Sequence, residues 1–310
     1  MNVSARLRDN IERFFDSDIY FSFRSSKVTM IAGAVTAAML FGALFASWLS
    51  PQNPFDPAAL DLMDAFTPPV WYEEGNWTYM LGTDDQGRDM LSALLYGSRV
   101  SLLVGFASIV FAMVLGIGLG LVSGYIGGTT DAIIMRVADV QISFPAILIA
   151  LLVDGVLRGL LPRNQHDELA VYVLVFSIGI SYWVHFARTV RGTTMVEKNK
   201  EYVQAARVIG VHPWLIMLRH VLPNVMGPVL VIATVGLAVS VLLEATLSFL
   251  GVGVPPTEPS LGTLVRIGND FLFSGEWWIV IFPGVVLATL VLAVNLLGDW
   301  LRDALNPRLR

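Results

Sequence analysis

The residues best suited to chemistry in this 310-residue chain are few and scattered. The four histidines stand at His166, His185, His212 and His220, too far apart for the H-E-x-x-H spacing that puts two imidazoles on one helix face around a metal. There is no cysteine, which removes disulfides, thiolate metal sites and a thiol nucleophile. None of the lysines, Lys27, Lys198 and Lys200, follows a glycine and precedes Ser or Thr, so the phosphate loop G-x-x-x-x-G-K-[ST] is missing. No catalytic residue and no metal ligand set is proposed from these positions. If ATP is used, another chain hydrolyses it.

The remaining ionisable and amide groups of interest lie in apolar surroundings, where each is a functional candidate. Asp139 follows Arg136 by three residues, with Gln141 and Pro145 beyond it, and an Arg-Asp pair can neutralise itself or reach the membrane surface. Glu244 and Asn295 stand alone in long apolar runs. Each of the three could line a solute path or hold helices together by hydrogen bonds. Nucleic-acid binding has no support in a net charge of -5.

The elements that must position these groups are membrane helices. Hydrophobic residues make up 55% of the chain and charged residues 15%, against about 25% charged in soluble domains. The mean hydropathy is +0.65. Six apolar stretches reach the roughly 20 residues needed to cross. They run over 28–49, 100–123, 132–153, 169–186, 225–250 and 277–297. The first lacks a cleavage site and reads as a signal anchor. The expected class is all-α, a polytopic membrane protein with six transmembrane helices.

Basic residues set the orientation, because Lys and Arg are retained in the cytoplasm. Fourteen fall before the first span, between spans four and five, or after the last, against four in the opposite loops. Both termini are therefore expected inside. The chain divides into a cytoplasmic segment 1–27, a first helix 28–49, an external loop 50–98, a five-helix core 99–300 carrying an internal loop at 187–224, and a cytoplasmic tail 301–310. The external loop holds eight acids and prolines at 51, 54, 57, 68 and 69. It reads as extended at first and helical again from a capping box at Thr83 to Gln86. Its aromatics Trp71, Tyr72, Trp77 and Tyr79 suit an interfacial belt or a partner.

Small residues recur every four positions at Ser108, Ala112, Gly116, Gly120 and Gly124, and again at Ala34, Ala38, Gly42 and Ala46. Such ridges let helices approach closely, either within the bundle or at a subunit contact.

The internal loop contains EYVQAARVIG at 201–210. At helical period Tyr202, Ala205, Ala206 and Ile209 share one face, while Glu201, Gln204 and Arg207 point away. Gly210 ends the helix. His212-Pro213 opens a second short helix, which Leu222-Pro223 breaks before the fifth span. The alanine face clears space for a neighbour, either the chain's own helices or a partner.

QAA at 204–206 with Gly210, and Leu222-Pro223 beyond, resembles the EAA loop of membrane subunits of binding-protein-dependent ABC importers. LGTDDQGRDMLSALLYGSRVSLLVG at 81–105, SGYIGG at 123–128, MRVADVQISFP at 135–145, EATLSFLGVGVPPTEPSLG at 244–262 and NLLGDWLRDALNPRL at 295–309 resemble the dipeptide and oligopeptide branch, in particular its C-type permease. The resemblance implies the type I importer permease fold, with a coupling helix that docks in a cleft of an ATPase subunit. Glu201, Tyr202, Gln204, Ala205, Ala206, Arg207, Ile209 and Gly210 are then the coupling residues.

The implied partners are a homologous second permease, two ATP-binding subunits carrying ATP and magnesium, a periplasmic solute-binding protein and the lipid of a bacterial inner membrane. The implied activity is uptake of di- or oligopeptides. Departures are Gln204 where the motif has an acid, His220 where many families have an aliphatic residue, and a long external segment at 154–168. Alternative solutes in the family are nickel, opines and short oligosaccharides. A self-contained secondary carrier would show matching half-repeats, which the chain lacks.

Overall fold

The computed structural model describes residues 18–304 apart from positions 57, 59 and 256, so most of the segment 1–27 and the end of the tail 301–310 lie outside the described residues. Among the described residues there is no strand, and Thr83 and Asp89 form one isolated bridge. Five helices are long and apolar enough to cross a membrane, and a bent pair supplies a sixth passage if taken as one span.

The described residues open with α1 (Asp18–Ser25), α2 (Lys27–Leu44) and the short α3 (Ala46–Leu49). After the irregular external loop comes α4 (Met90–Ile126), whose 37 residues span about 55 Å, well beyond a hydrocarbon core of about 30 Å. Next are α5 (Gly128–Ile142) and α6 (Ala146–Leu160), bent by 99° at the break between them. The uninterrupted span expected over 132–153 is therefore corrected. Pro145 has no N–H to continue the ladder and disfavours helical geometry at Phe144.

Then follow α7 (His166–Glu197), α8 (Glu201–Val208), α9 (Pro213–Ile216), α10 (Leu222–Phe249), α11 (Leu261–Phe271) and α12 (Trp278–Ala304). Much of the segment 154–168, expected as a loop, is helical in α6 and the first turn of α7.

The four-residue ridge on α4 is buried throughout, and it packs on α7. A Cβ on Gly116 would fall 2.5 Å from the Phe186 Cβ and 2.6 Å from the Trp183 carbonyl oxygen, and one on Gly120 would fall 2.6 Å from the Ala187 oxygen. Close backbone approach replaces the hydrophobic drive that lipid does not supply. This ridge is internal packing. Of the second ridge, Gly42 on α2 and Ala46 on α3 are buried, while Ala34 and Ala38 face outward.

The expected capping box at Thr83 to Gln86 is not used. Residues 83–89 form a tight loop in which Arg88 is ion-paired with Asp84 at 2.6 Å, both side chains 1% exposed. Asp89 caps α4 instead, its carboxylate accepting from the Ser92 N–H at 2.8 Å. Trp278 on α12 donates its Nε1–H to the Thr83 carbonyl at 3.0 Å, which ties this loop to the last helix.

Candidate functional site

The internal loop is an ordered elbow at the end of the bundle where α4 and α7 finish and α10 begins. After α7 a short turn leads to α8. Its end is a Schellman motif: the Gly210 N–H bonds to the Arg207 oxygen at 3.0 Å and the Val211 N–H to the Ala206 oxygen at 3.0 Å. Gly210 has φ of +83°, a conformation open to glycine at little cost. Pro213 then occupies the first turn of α9, as expected.

Leu222-Pro223 does not break the chain there. A π-helical stretch over Met217–Val221 joins α9 to α10 in one continuous helix, with the Leu222 N–H reaching back to the Met217 carbonyl. The wider π turn lets Pro223 enter without a kink that would end the helix.

The orientation of α8 differs from the expected one. Val203 is fully buried and Ala206 is 6% exposed, in an apolar cluster with Phe186, Ile216 and Val221. Glu201, Gln204, Ala205 and Arg207 are exposed, and Val208 and Ile209 are 88% and 80% exposed. Ala206 therefore packs on the chain's own helices, and the outward apolar surface is Ala205, Val208 and Ile209. Tyr202 lies at the boundary, with part of its ring exposed.

Polar contacts fasten the elbow to three membrane helices. The Tyr202 hydroxyl donates to Glu197 on α7 and accepts from Asn224 Nδ2 on α10 at 3.1 Å. Enclosure of that hydroxyl and its hydrogen bond to Glu197 push the phenol up to about 12. Lys198 Nζ donates to the Gly124 carbonyl at the end of α4 at 2.7 Å. Arg207 stacks over the Tyr125 ring at 4.9 Å and donates from Nε to the Tyr125 hydroxyl at 3.2 Å. An open groove of about 640 Å³ runs beside α8, lined by Tyr125, Arg207, Val211, Pro213 and Trp214 among others. These contacts tie α8 and the turn before it to the ends of α4, α7 and α10.

The three intramembrane candidates separate. Glu244 on α10 is fully buried, accepting hydrogen bonds from Ser101 on α4 and Ser248 on its own helix, each at 2.7 Å. Ser101 also accepts from the Leu261 N–H at 3.2 Å, so the carboxylate sits in a joint between α4, α10 and the start of α11. Asp139 does not pair with Arg136 as expected: it binds Arg188 on α7, and both side chains are about half exposed. Asn295 is half-buried on α12. Nothing brings these three together.

Sequence spacing missed the pair of Asp131 with Arg191, bonded through two guanidinium nitrogens, which joins the start of α5 to α7 across 60 residues of sequence. Nor did spacing give the partners of Gln141, which accepts from Trp183 Nε1 at 2.8 Å and donates to the Ile180 carbonyl. Among the described residues no group of three or more His, Asp and Glu could hold a metal ion.

The sequence profile described as "Binding-protein-dependent transport system inner membrane component" matches residues 116–310, and that described as "N-terminal TM domain of oligopeptide transport permease C" matches residues 17–69. The dipeptide transport system permease protein DppC of Haemophilus influenzae is 36% identical over 293 residues, covering 94% of this chain and 95% of that protein. The protein of the same description from Escherichia coli is 38% identical over 294 residues, covering 94% and 93%. Among solved structures, a chain of the MetNI methionine ABC transporter superposes with a TM-score of 0.54 at 21% identity, over 70% of this chain and 98% of that one. That likeness concerns the fold.

Proposed function

The chain belongs to the family of binding-protein-dependent transport system inner membrane components, and we propose that it is the permease subunit through which such an importer takes up dipeptides and short oligopeptides. The solute class follows the relatives named as dipeptide permeases, which the chain matches over nearly its whole length.

The observation that carries the coupling role is the division of α8 into two faces. Val203 and Ala206 are sunk into the bundle, while Ala205, Val208 and Ile209 present an apolar edge to water. An exposed apolar edge on an immobilised short helix fits a groove in a partner better than a solvated loop. In this reading ATP and magnesium are bound by two partner ATPase subunits, whose closure moves α8. This chain and a homologous second permease then alternate access to a pathway between them. A solute-binding protein delivers the peptide at the opposite end. Both termini and the elbow lie in the cytoplasm, in keeping with the excess of Lys and Arg there.

The test is uptake of a labelled dipeptide into proteoliposomes holding both permeases and the ATPase subunits, with the binding protein added to the peptide side. Uptake is expected only with ATP and with all partners present. Uptake by this chain alone, without ATPase subunits, overturns the proposal in favour of a self-contained carrier.

A further inference from the structure

At the end of the molecule opposite the elbow, the external loop and the start of α12 border an open pocket of about 540 Å³. Its lining includes the aromatic rings of Phe66, Tyr72 and Trp278 and the carboxylates of Glu73, Glu74 and Glu276. The rings are held in place from behind. Phe66 takes φ of +60°, the one non-glycine positive value among the described residues, with its N–H bonded to the Asp84 carbonyl at 3.0 Å. The Tyr72 hydroxyl accepts from Trp277 Nε1 at 3.0 Å, and Trp278 is fixed through its bond to Thr83. Glu276 has a buried carboxylate oxygen, Oε2, that accepts no hydrogen bond.

Aromatic faces beside carboxylates select a cation: the rings offer their negative faces to an ammonium or guanidinium, and the carboxylates supply charge-assisted hydrogen bonds. No basic side chain lines the pocket. In the loop 50–98 Arg88 is buried against Asp84, which leaves the surrounding acids to dominate the outer field. In the same external segments, near the lining residues in sequence, Phe273 is 97% exposed, Trp77 77% and Trp71 56%, exposed aromatic surface of the kind enriched at protein contacts. The uses so far assigned to the chain do not call on this combination.

We propose that this pocket receives one lysine or arginine side chain of the solute-binding protein, anchoring it to this permease, with the exposed aromatics packing around the anchor. The proposal rests on the importer reading above. Electrostatic complementarity of this kind governs both the rate of encounter and the lifetime of a complex.

The experiment titrates the cognate binding protein onto the assembled transporter in nanodiscs at low and high salt. The variants are Glu276→Gln and the pair Glu73→Gln with Glu74→Gln, which keep shape and remove charge. The expected result is about tenfold weaker binding at low salt and a shallower dependence on salt, with the complex still assembling. Binding equal to wild type at both salt concentrations in all variants overturns the proposal. An effect that disappears when phosphatidylethanolamine is left out of the nanodisc also overturns it, since the pocket would then hold a lipid amine. Failure of the unaltered transporter to bind the binding protein refutes the importer reading itself, a result distinct from a loss confined to the variants.

Discussion

Two adjacent alanines on α8 should respond in opposite ways to the same substitution. Ala206 is 6% exposed and lies in the apolar cluster with Val203, Phe186 and Ile216, whereas Ala205 is exposed. Glutamate at 206 would place a carboxylate in that cluster, where an unpaired buried charge costs on the order of 3–5 kcal/mol. At about 2–4 °C per kcal/mol, the denaturation midpoint of the purified subunit should fall by roughly ten degrees. Glutamate at 205 touches only the outer face and should change stability by less than about 0.5 kcal/mol. It would, however, set a charge on the apolar edge formed with Val208 and Ile209 and abolish association with the ATPase subunit. Scanning fluorimetry on the purified subunit and co-purification of the ATPase separate the two effects. Equal midpoints for Ala205→Glu and Ala206→Glu would refute the assignment of faces, and full ATPase recovery with Ala205→Glu would refute the docking edge.

Other expectations follow from close contacts, caps and titration. Gly116→Ala should destabilise by about 1–3 kcal/mol, since the new Cβ meets the Trp183 carbonyl at 2.6 Å and α4 must separate from α7. Gly118→Ala, two residues along with nothing within 4 Å, should be neutral or stabilising by up to about 1 kcal/mol in the same thermal assay. Asp89→Ala removes the cap of α4 and should lower stability by about 0.5–2 kcal/mol, with Asp89→Asn retaining most of it. The hydrogen bond from Tyr79 to Asp64, with desolvation, pushes that phenol up to about 12. Because the folded state holds the proton more tightly than the unfolded chain, this contribution is complete below about pH 10 and is lost as pH rises towards 12. Tyr79→Phe should remove one late-titrating phenol from the ultraviolet absorbance curve.

The membrane passages were legible because long apolar runs have few alternatives, and the α4 ridge because close packing in lipid selects small residues. The break between α5 and α6 was not, since apolar residues continue on both sides and prolines elsewhere, at 228 and 283, sit inside helices without ending them. The face of α8 was misassigned for a different reason. Periodicity groups residues that share a side, but the choice of the buried side rests on Phe186, Ile216 and Val221, contributed by other helices. Likewise Asp139 has a basic residue three positions away, yet its partner is Arg188, 49 residues on. The cap at Asp89 was hidden because Thr83 and Asp84 are drawn into the buried loop around Arg88. The segment came from resemblance, and which of its residues face inward and which outward came only from packing.

The most direct test uses the absence of native cysteine in this chain. Single cysteines at Val208, Ile209 and Val203, each paired with a cysteine in the groove of the partner ATPase, can be cross-linked in the assembled transporter. Val208→Cys and Ile209→Cys, at 88% and 80% exposure, should give a covalent adduct with the ATPase subunit, and the fully buried Val203→Cys should not. An intact complex in which neither outward position forms an adduct would contradict the claim that α8 is where the ATPase takes hold.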